Sequence, residues 1–325
     1  MTSNVRPRLG IAVTRALPPQ VIARLQSRHD MRVNPEDRRL TPAELQEAAR
    51  GADAMIVTAL DRFDADAIAQ LPDTVRIIAT YSVGYEHIDL DAARQRGIAV
   101  LFTPDVLSDS VAEMAILLML GAARRVHEGS RMLYEGRWLG WTPTQLIGVQ
   151  VTGQRIGIVG MGRIGRTIGR RARGFDMVVH YHNRSRLEAA LEDGAHFHAS
   201  IDSLLAHSDV LVLAAPSTPL TRGLLNDARL ALMPPGAIVV NIARGDLIDD
   251  EALVSALKTG HIAAAGLDVF NNEPALHTDY LALPNVFIQP HQGSSTLSAR
   301  LEMAEILLAG VDAILAGDAA PNRLA

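Results

Sequence analysis

Three glycines, Gly160, Gly162 and Gly165, stand at the spacing G-x-G-x-x-G, and the chemistry that spacing serves is the binding of a dinucleotide pyrophosphate. Each glycine has its own reason to be one. The first allows a tight turn out of a strand, the second lets backbone approach the phosphates, and the third lets the following helix pack against the strand. The neighbours agree: Arg155 to Val159 is an apolar, β-branched run of the kind that forms a buried parallel strand, and Arg166 to Arg173 continues as a helix. The start of that helix offers N–H groups and a partial positive charge to the phosphates. The glycine spacing alone is a weak signal. Strand, glycines and helix in succession point to a dinucleotide site.

The end of the next strand selects between two dinucleotides. A site for NAD places an acid about twenty residues beyond the first glycine, where it accepts hydrogen bonds from the ribose. Here that end reads Tyr181-His182-Asn183-Arg184-Ser185-Arg186, with no acid, and Glu188 lies too far along to replace it. Arg184 and Arg186 would attract a 2′-phosphate, while Asn183 and Ser185 can donate hydrogen bonds to it. NADP(H) is therefore the expected cofactor, with NAD(H) as the second option.

The elements that must position such a site fall into two blocks. At 325 residues the chain has room for two domains. Hydrophobic residues make up 48% and aromatics only 4%, so the cores are built from Ala, Val, Ile and Leu, which suits α/β layers. In the first block, expected strands at 9–14, 31–33, 54–58, 75–80 and 98–102 alternate with helices. One of these helices opens on Thr41-Pro42-Ala43-Glu44, a capping box. Such alternation means a parallel sheet, and this block has no glycine fingerprint. In the second block, strands are expected at 155–159, 177–181, 209–214, 237–241, 263–268 and 286–288. Between the blocks runs a long helix from Ser108 to about Arg125, whose Ala112, Ala115 and Ala122 permit close packing. It leads into an irregular arm, residues 128–150, that holds both tryptophans, Trp138 and Trp141. Aromatics gathered in a segment of little periodicity suggest a subunit contact. A final helix, capped by Ser294 or Thr296, runs to about Leu315.

Composition excludes several kinds of chemistry. A net charge of −5 gives no reason to expect nucleic acid or an anionic membrane as partner. The absence of cysteine rules out disulfides, thiolate catalysis and cysteine-held metals. Lys258 is the only lysine, so a Schiff base has one candidate, and it sits in an ordinary helical surface pattern. His180, His182, His196, His198 and His207 invite a metal reading, but no carboxylate stands at ligand spacing and no metal is expected. Met1 to Gly10 has no long apolar core, and the longest apolar run, 114–123, is too short to span a bilayer. A soluble, cytoplasmic protein is expected.

Three further segments lie just past expected strand ends, where an open α/β sheet places its site. They are Asn241-Ile242-Ala243-Arg244-Gly245, then Gly266-Leu267-Asp268-Val269-Phe270 continuing to Glu273-Pro274, and Gln289-Pro290-His291-Gln292-Gly293-Ser294. Singly, each charged residue has an ordinary explanation: a loop histidine, a surface glutamate, an arginine in a turn. Together with Tyr81-Ser82-Val83-Gly84, Asp89 and the glycine fingerprint, they make the whole chain resemble the D-isomer-specific 2-hydroxyacid dehydrogenase family. The Asn183-Arg184-Ser185 loop and the tryptophan arm look most like its glyoxylate/hydroxypyruvate reductases, some of which also accept 2-ketogluconate. Gln292 departs from the pattern, which mostly has an apolar residue after the histidine.

The resemblance implies two Rossmann-like or flavodoxin-like doubly wound parallel-sheet domains with an active-site cleft between them. It implies a substrate-binding domain at 1–103, completed by 292–325, and a dinucleotide-binding domain at 104–291. It implies reduction of a small 2-keto acid to a D-2-hydroxy acid by hydride transfer. By the same resemblance His291 is the proton donor, Glu273 fixes its ring, and Arg244 holds the substrate carboxylate with backbone N–H groups of Ser82, Val83 and Gly84. The implied cofactor contacts are Gly160, Gly162, Arg163, Ile164, Gly165, Asn183, Arg184, Ser185, Ala215, Pro216, Thr221, Ile242, Ala243, Asp268, His291 and Gly293, with Asp268 on the nicotinamide carboxamide. A homodimer through 104–150 is expected. The competing readings are an NAD-dependent D-lactate-type dehydrogenase and a non-catalytic NAD(P)-sensing protein.

Overall fold

The computed structural model describes residues 8–325, so most of the Met1 to Gly10 segment lies outside the described residues. The chain divides into two compact units. One takes the described residues up to Leu107 together with Ser295–Ala325, and the other is Ser108–Ser294. The divisions fall a few residues beyond 103 and 291, because Ser108 opens a helix that packs on strands of the second unit and His291 is held by that unit's own loops.

The first unit is a five-stranded parallel sheet: β1 (Gly10–Val13), β2 (Asp30–Val33), β3 (Ala54–Val57), β4 (Ile77–Thr80) and β5 (Ala99–Leu101). Their order is β2-β1-β3-β4-β5, the flavodoxin-like arrangement. Strands β3 and β4 are buried at every position, as strands covered on both faces must be. Alternation at period two splits their side chains between two cores. Ile11, Val13 and Ile56 pack with Met303, Leu307, Leu308 and Val311 of the closing helix Leu297–Ala316. Ala12, Met55 and Val57 face Leu45, Ile68 and Ala93 on the other side. Thr296, not Ser294, caps the closing helix by accepting the Ala299 N–H.

The second unit is a seven-stranded parallel sheet: β6 (Arg155–Val159), β7 (Val178–His182), β8 (His196–Phe197), β9 (Val210–Leu213), β10 (Ala237–Asn241), β11 (Ile262–Leu267) and β12 (Val286–Ile288). The order β12-β11-β10-β9-β6-β7-β8 reverses direction between β6 and β9, the switch point beside which such sheets bind ligands. The helix Ser108–Ala123 lies close on β11, since a Cβ on Gly266 would come 2.7 Å from the Leu118 carbonyl oxygen. Two features differ from the sequence expectation. The strand β8 has only two residues, too few for a periodic signal. The arm opens with a helix, Val126–Tyr134, because Arg125 at φ +53° breaks the preceding helix and lets a new one start. Among the described residues no helix is long and apolar enough to cross a membrane.

The histidines expected to be metal-free gather at the β7–β8 edge. The His180 ring lies 4.9 Å from His196, 5.1 Å from His198 and 5.9 Å from His207. Its Nδ1 is 2.9 Å from His198 Nε2, so one of these two nitrogens must be an unprotonated acceptor. Burial first, and then the neighbouring histidines and Arg155, push His180 down from 6.5 to about 4. The folded state therefore favours the neutral ring. That stability is complete above about pH 6.5 and is lost as pH falls through about 4. We expect unfolding free energy, measured by denaturant titration, to decline between these pH values, and to decline less in His180→Gln. An equally steep decline in the variant would show that the cluster does not set the acid limit.

Candidate active site

The turn after β6 gives each glycine of the fingerprint a separate task. Gly160 sits at φ +95°, and a Cβ there would lie 2.7 Å from the Ala215 N. Gly165 presses so closely that a Cβ would lie 2.2 Å from the Gly160 carbonyl oxygen, which lets the helix Arg163–Ala172 start directly under the strand end. Around Gly162 a Cβ would meet nothing within 4 Å, and no side chain caps the helix that begins there. Open space at an uncapped helix start is what a pyrophosphate needs, so the residues present fit a dinucleotide. Arg163 and Ile164 form the first turn of this helix.

Three loops meet at the carboxyl ends of the neighbouring strands β10, β11 and β12. After β10, the buried Asn241 shapes a turn: its side chain accepts the Ala243 N–H at 3.0 Å and donates to the Arg244 carbonyl at 2.8 Å. Arg244 follows in extended conformation, with Nη1 donating to the Ala243 carbonyl at 2.7 Å. Gly245 then touches the β11 loop, since a Cβ on it would fall 1.9 Å from the Phe270 carbonyl carbon. On that loop Glu273 Oε1 accepts the Phe270 N–H at 2.9 Å, while Oε2 lies 2.7 Å from His291 Nδ1. His291 Nε2 has no protein partner among the described residues, and the side chain is 45% exposed. Burial acts to raise the Glu273 carboxyl. The His291 hydrogen bond and charge, the Phe270 N–H and the Arg244 charge outweigh it and hold Glu273 below its ordinary value. Arg244, Glu273 and His291 thus share one electrostatic neighbourhood.

Asp268, expected at the nicotinamide carboxamide, is tied to the histidine loop. It is 1% exposed, and its two oxygens accept the Gln292 and Gly293 N–H groups at 2.7 Å each. Its carboxylate fastens the histidine loop. Gly293 is buried in the same clamp, and its carbonyl accepts the Ser110 hydroxyl at 2.7 Å. Thr221 is likewise committed to its own loop: its hydroxyl donates to the Pro216 carbonyl and accepts the Thr218 N–H. Ala215 lies against the glycine turn, and Ile242 and Ala243 are buried after β10.

At the end of β7, Asn183 accepts the Met161 N–H at 2.6 Å, which ties the glycine turn to this strand and leaves its amide NH₂ as the free end. Arg184 and Ser185 are exposed, with no side-chain partner among the described residues. Arg186 corrects the expectation of a phosphate ligand. Its guanidinium is paired in two bonds with Glu192, at 2.8 and 3.0 Å, and lies over the Phe197 ring. Arg186 first, with Tyr181, holds Glu192 down to about 2. In the first unit, Ser82, Val83 and Gly84 follow β4, and among the described residues their backbone N–H groups donate to no protein acceptor. Sequence reasoning missed Asn241. Its signal was present: an asparagine at a strand end, able to close a turn with its own side chain.

A doubly wound sheet with a glycine turn at its switch point and a histidine–carboxylate pair on adjoining strand ends defines a dinucleotide-dependent oxidoreductase. The sequence pattern described as D-isomer specific 2-hydroxyacid dehydrogenase, NAD binding domain, matches residues 116–293. The chain is 41% identical to the glycerate dehydrogenase of Hyphomicrobium methylovorum, covering 94% of this chain and 96% of that one. It is 42% identical to the glyoxylate reductase of Thermococcus kodakarensis, covering 98% and 96%. Among solved structures, the NADPH-dependent glyoxylate/hydroxypyruvate reductase of Sinorhizobium meliloti, in complex with NADP and malonate, superposes with a TM-score of 0.86. The identity is 31%, over 98% of this chain and 97% of that one. The protein belongs to the D-isomer specific 2-hydroxyacid dehydrogenase family.

The glycine geometry separates two variants. Gly162→Ala should keep the melting temperature of the free protein, because its methyl meets no protein atom, yet weaken nucleotide binding at least about tenfold by occupying the approach to the phosphates. Gly165→Ala should lose both stability and binding. Fluorescence titration with nucleotide and a thermal melt decide the matter; undiminished binding by Gly162→Ala would move the phosphates elsewhere.

Proposed function

We propose that this protein reduces small 2-keto acids, glyoxylate and hydroxypyruvate first among them, to D-2-hydroxy acids, with NADPH as the preferred cofactor. The observation that carries the reading is the Glu273–His291 pair, 2.7 Å apart, beside Arg244 at the carboxyl edge of a dinucleotide-binding sheet. The dinucleotide, when bound, supplies the hydride. His291 Nε2 gives a proton to the keto oxygen as that oxygen gains an electron pair, and Glu273 holds Nδ1 so that the ring faces its task. The Arg244 fork holds the substrate carboxylate and draws charge toward the keto oxygen. In the first unit, the N–H groups of Ser82, Val83 and Gly84, which donate to no protein acceptor among the described residues, are donors suited to a substrate carboxylate.

The cofactor preference rests on what the end of β7 offers. No acid is present there to accept from a ribose hydroxyl, and with Arg186 committed to Glu192 the attraction for a 2′-phosphate falls to Arg184, helped by Asn183 and Ser185. The NADP complex of the Sinorhizobium relative supports this choice. A panel of glyoxylate, hydroxypyruvate and the larger 2-ketogluconate, assayed with both nucleotides, tests the reading. NADPH should give the higher kcat/KM, and Arg184→Ala should raise its KM about tenfold while barely moving that of NADH. His291→Ala should lower kcat by about a hundredfold or more with nucleotide binding nearly intact. Better efficiency with NADH, or no turnover of any of the three acids, would refute the corresponding part.

We also propose a second copy of the chain as partner for the arm. Leu133, Tyr134, Trp138, Leu139, Trp141 and Ile147 all face solvent, with Leu139 at 99% and Trp141 at 80% exposure. So many large apolar side chains in one short segment are characteristic of an interface. Sedimentation at micromolar concentration should give about twice the 35.0 kDa chain mass. A monomer there would overturn the assignment.

A further inference from the structure

We infer that Thr80 and His87 are positioning residues for the Ser82–Gly84 amides, acting through a one-way chain of hydrogen bonds that ends on the Gly84 carbonyl. The inference rests on the reading that these amides take the substrate carboxylate. Thr80 closes β4 and is fully buried. Its Oγ1 lies 2.6 Å from Ser82 Oγ and 3.0 Å from His87 Nε2, and Ser82 Oγ donates to the Gly84 carbonyl at 2.6 Å.

Counting protons fixes the direction. The Gly84 carbonyl has no hydrogen, so the Ser82 hydroxyl proton is spent on it. The proton between Ser82 and Thr80 is then the one Thr80 carries. Thr80, its single proton spent, can only accept from His87, so Nε2 of His87 carries a hydrogen. The chain runs His87 Nε2–H to Thr80, Thr80 to Ser82, Ser82 to Gly84, and each bond polarises the next in the same sense. The source of the chain is anchored as well, because the His87 carbonyl accepts the Phe63 N–H at 2.8 Å and Phe63 is buried.

The consequence falls on the backbone. The Gly84 carbonyl is drawn back onto Ser82, and the Ser82 carbonyl accepts the Thr103 N–H at 3.1 Å. With the Ser82 and Gly84 carbonyls engaged inside the unit, their oxygens oppose an anion at the Ser82, Val83 and Gly84 N–H groups less than free carbonyls would. Remove the Thr80 hydroxyl and Ser82 Oγ loses its donor. The Ser82 side chain is then free to turn away from Gly84, and the amide edge loosens.

Thr80→Val keeps the shape and deletes the hydroxyl, while Thr80→Ser keeps the hydroxyl. The expected result for Thr80→Val is a KM for glyoxylate raised about five- to tenfold, with kcat within about threefold and the dissociation constant for NADPH unchanged. His87→Leu should behave like Thr80→Val. Thr80→Ser and His87→Gln, which can restore the missing bond, should return KM toward wild type. An unchanged KM in Thr80→Val overturns the relay. So does an equal defect in Thr80→Ser, or a KM change accompanied by a fall in melting temperature and weaker NADPH binding, since either marks simple structural damage. Wild-type protein that turns over no keto acid would instead remove the reading on which the inference stands.

Discussion

The chemistry of the second unit depends on one buried carboxylate. Asp268 gives both oxygens to the Gln292 and Gly293 amides, and so determines where the backbone leaves β12 and where His291 can stand. His291 itself sits at φ +53°, a left-handed conformation that costs a histidine about 1 kcal/mol or more. Its own N–H is also claimed, by the Asp268 carbonyl at 2.8 Å. One residue thus holds the histidine loop through backbone and side chain together. The strain is offset by three hydrogen bonds made in or next to a buried place, where leaving any of them unmade costs more than on the surface. A loop built this way keeps the imidazole at one orientation while its far nitrogen remains available.

The parallel sheet supplies the second constraint. Because β10, β11 and β12 are neighbours running the same way, the segments that leave them emerge side by side. Residues far apart in sequence, Arg244, Glu273 and His291, become neighbours for that reason alone. Glycine at 245 completes the arrangement: the β10 turn can rest on the Phe270 backbone only where there is no side chain. Positions and contacts of this kind follow from strand order, which explains why the strands were so legible. Short β-branched apolar runs such as Ala54–Val57 and Ile238–Val240, bounded by turn residues, read as strands buried on both faces, and the spacing of the glycine fingerprint assigns its three tasks.

Legibility ended where the answer depended on which partner a polar side chain finds. Arg186 and Arg184 are indistinguishable as letters two residues apart. Only the fold reveals that Glu192 comes back under the first and leaves the second facing water. Asp268 offered a similar ambiguity, since its clamp on Gln292 and Gly293 shows only in the fold. The two-residue strand β8 and the histidine cluster beside it were unreadable for another reason. Neither has a periodic signature, and the cluster is assembled from β7, β8 and the helix Ile201–Leu205 with the turn after it. Thr80 and His87 were hidden in the same way, as a strand-end threonine and a loop histidine whose meaning lies in distances of 2.6 and 3.0 Å.

Burial raises both carboxylates in this cluster of loops, yet their net shifts run in opposite directions because their partners differ. Burial dominates at Asp268, pushing its carboxyl up against the pull of two backbone amides and the nearby His291. At Glu273 burial also raises the carboxyl. There the imidazole is a direct hydrogen-bond partner, the Phe270 amide holds the other oxygen and Arg244 adds its charge, so the balance turns downward. Amides and cations both favour the ionised carboxylate; at Glu273 the two kinds of partner together outweigh burial, and at Asp268 the amides and the more distant His291 charge do not. Asp268 therefore needs only to be in place, and its neutral or charged state matters to the loop it fastens. Glu273, held below its ordinary value, is kept as the charged acceptor facing the His291 ring. Environments that drive neighbouring acids apart are how a site divides architectural from chemical duty among residues of the same type.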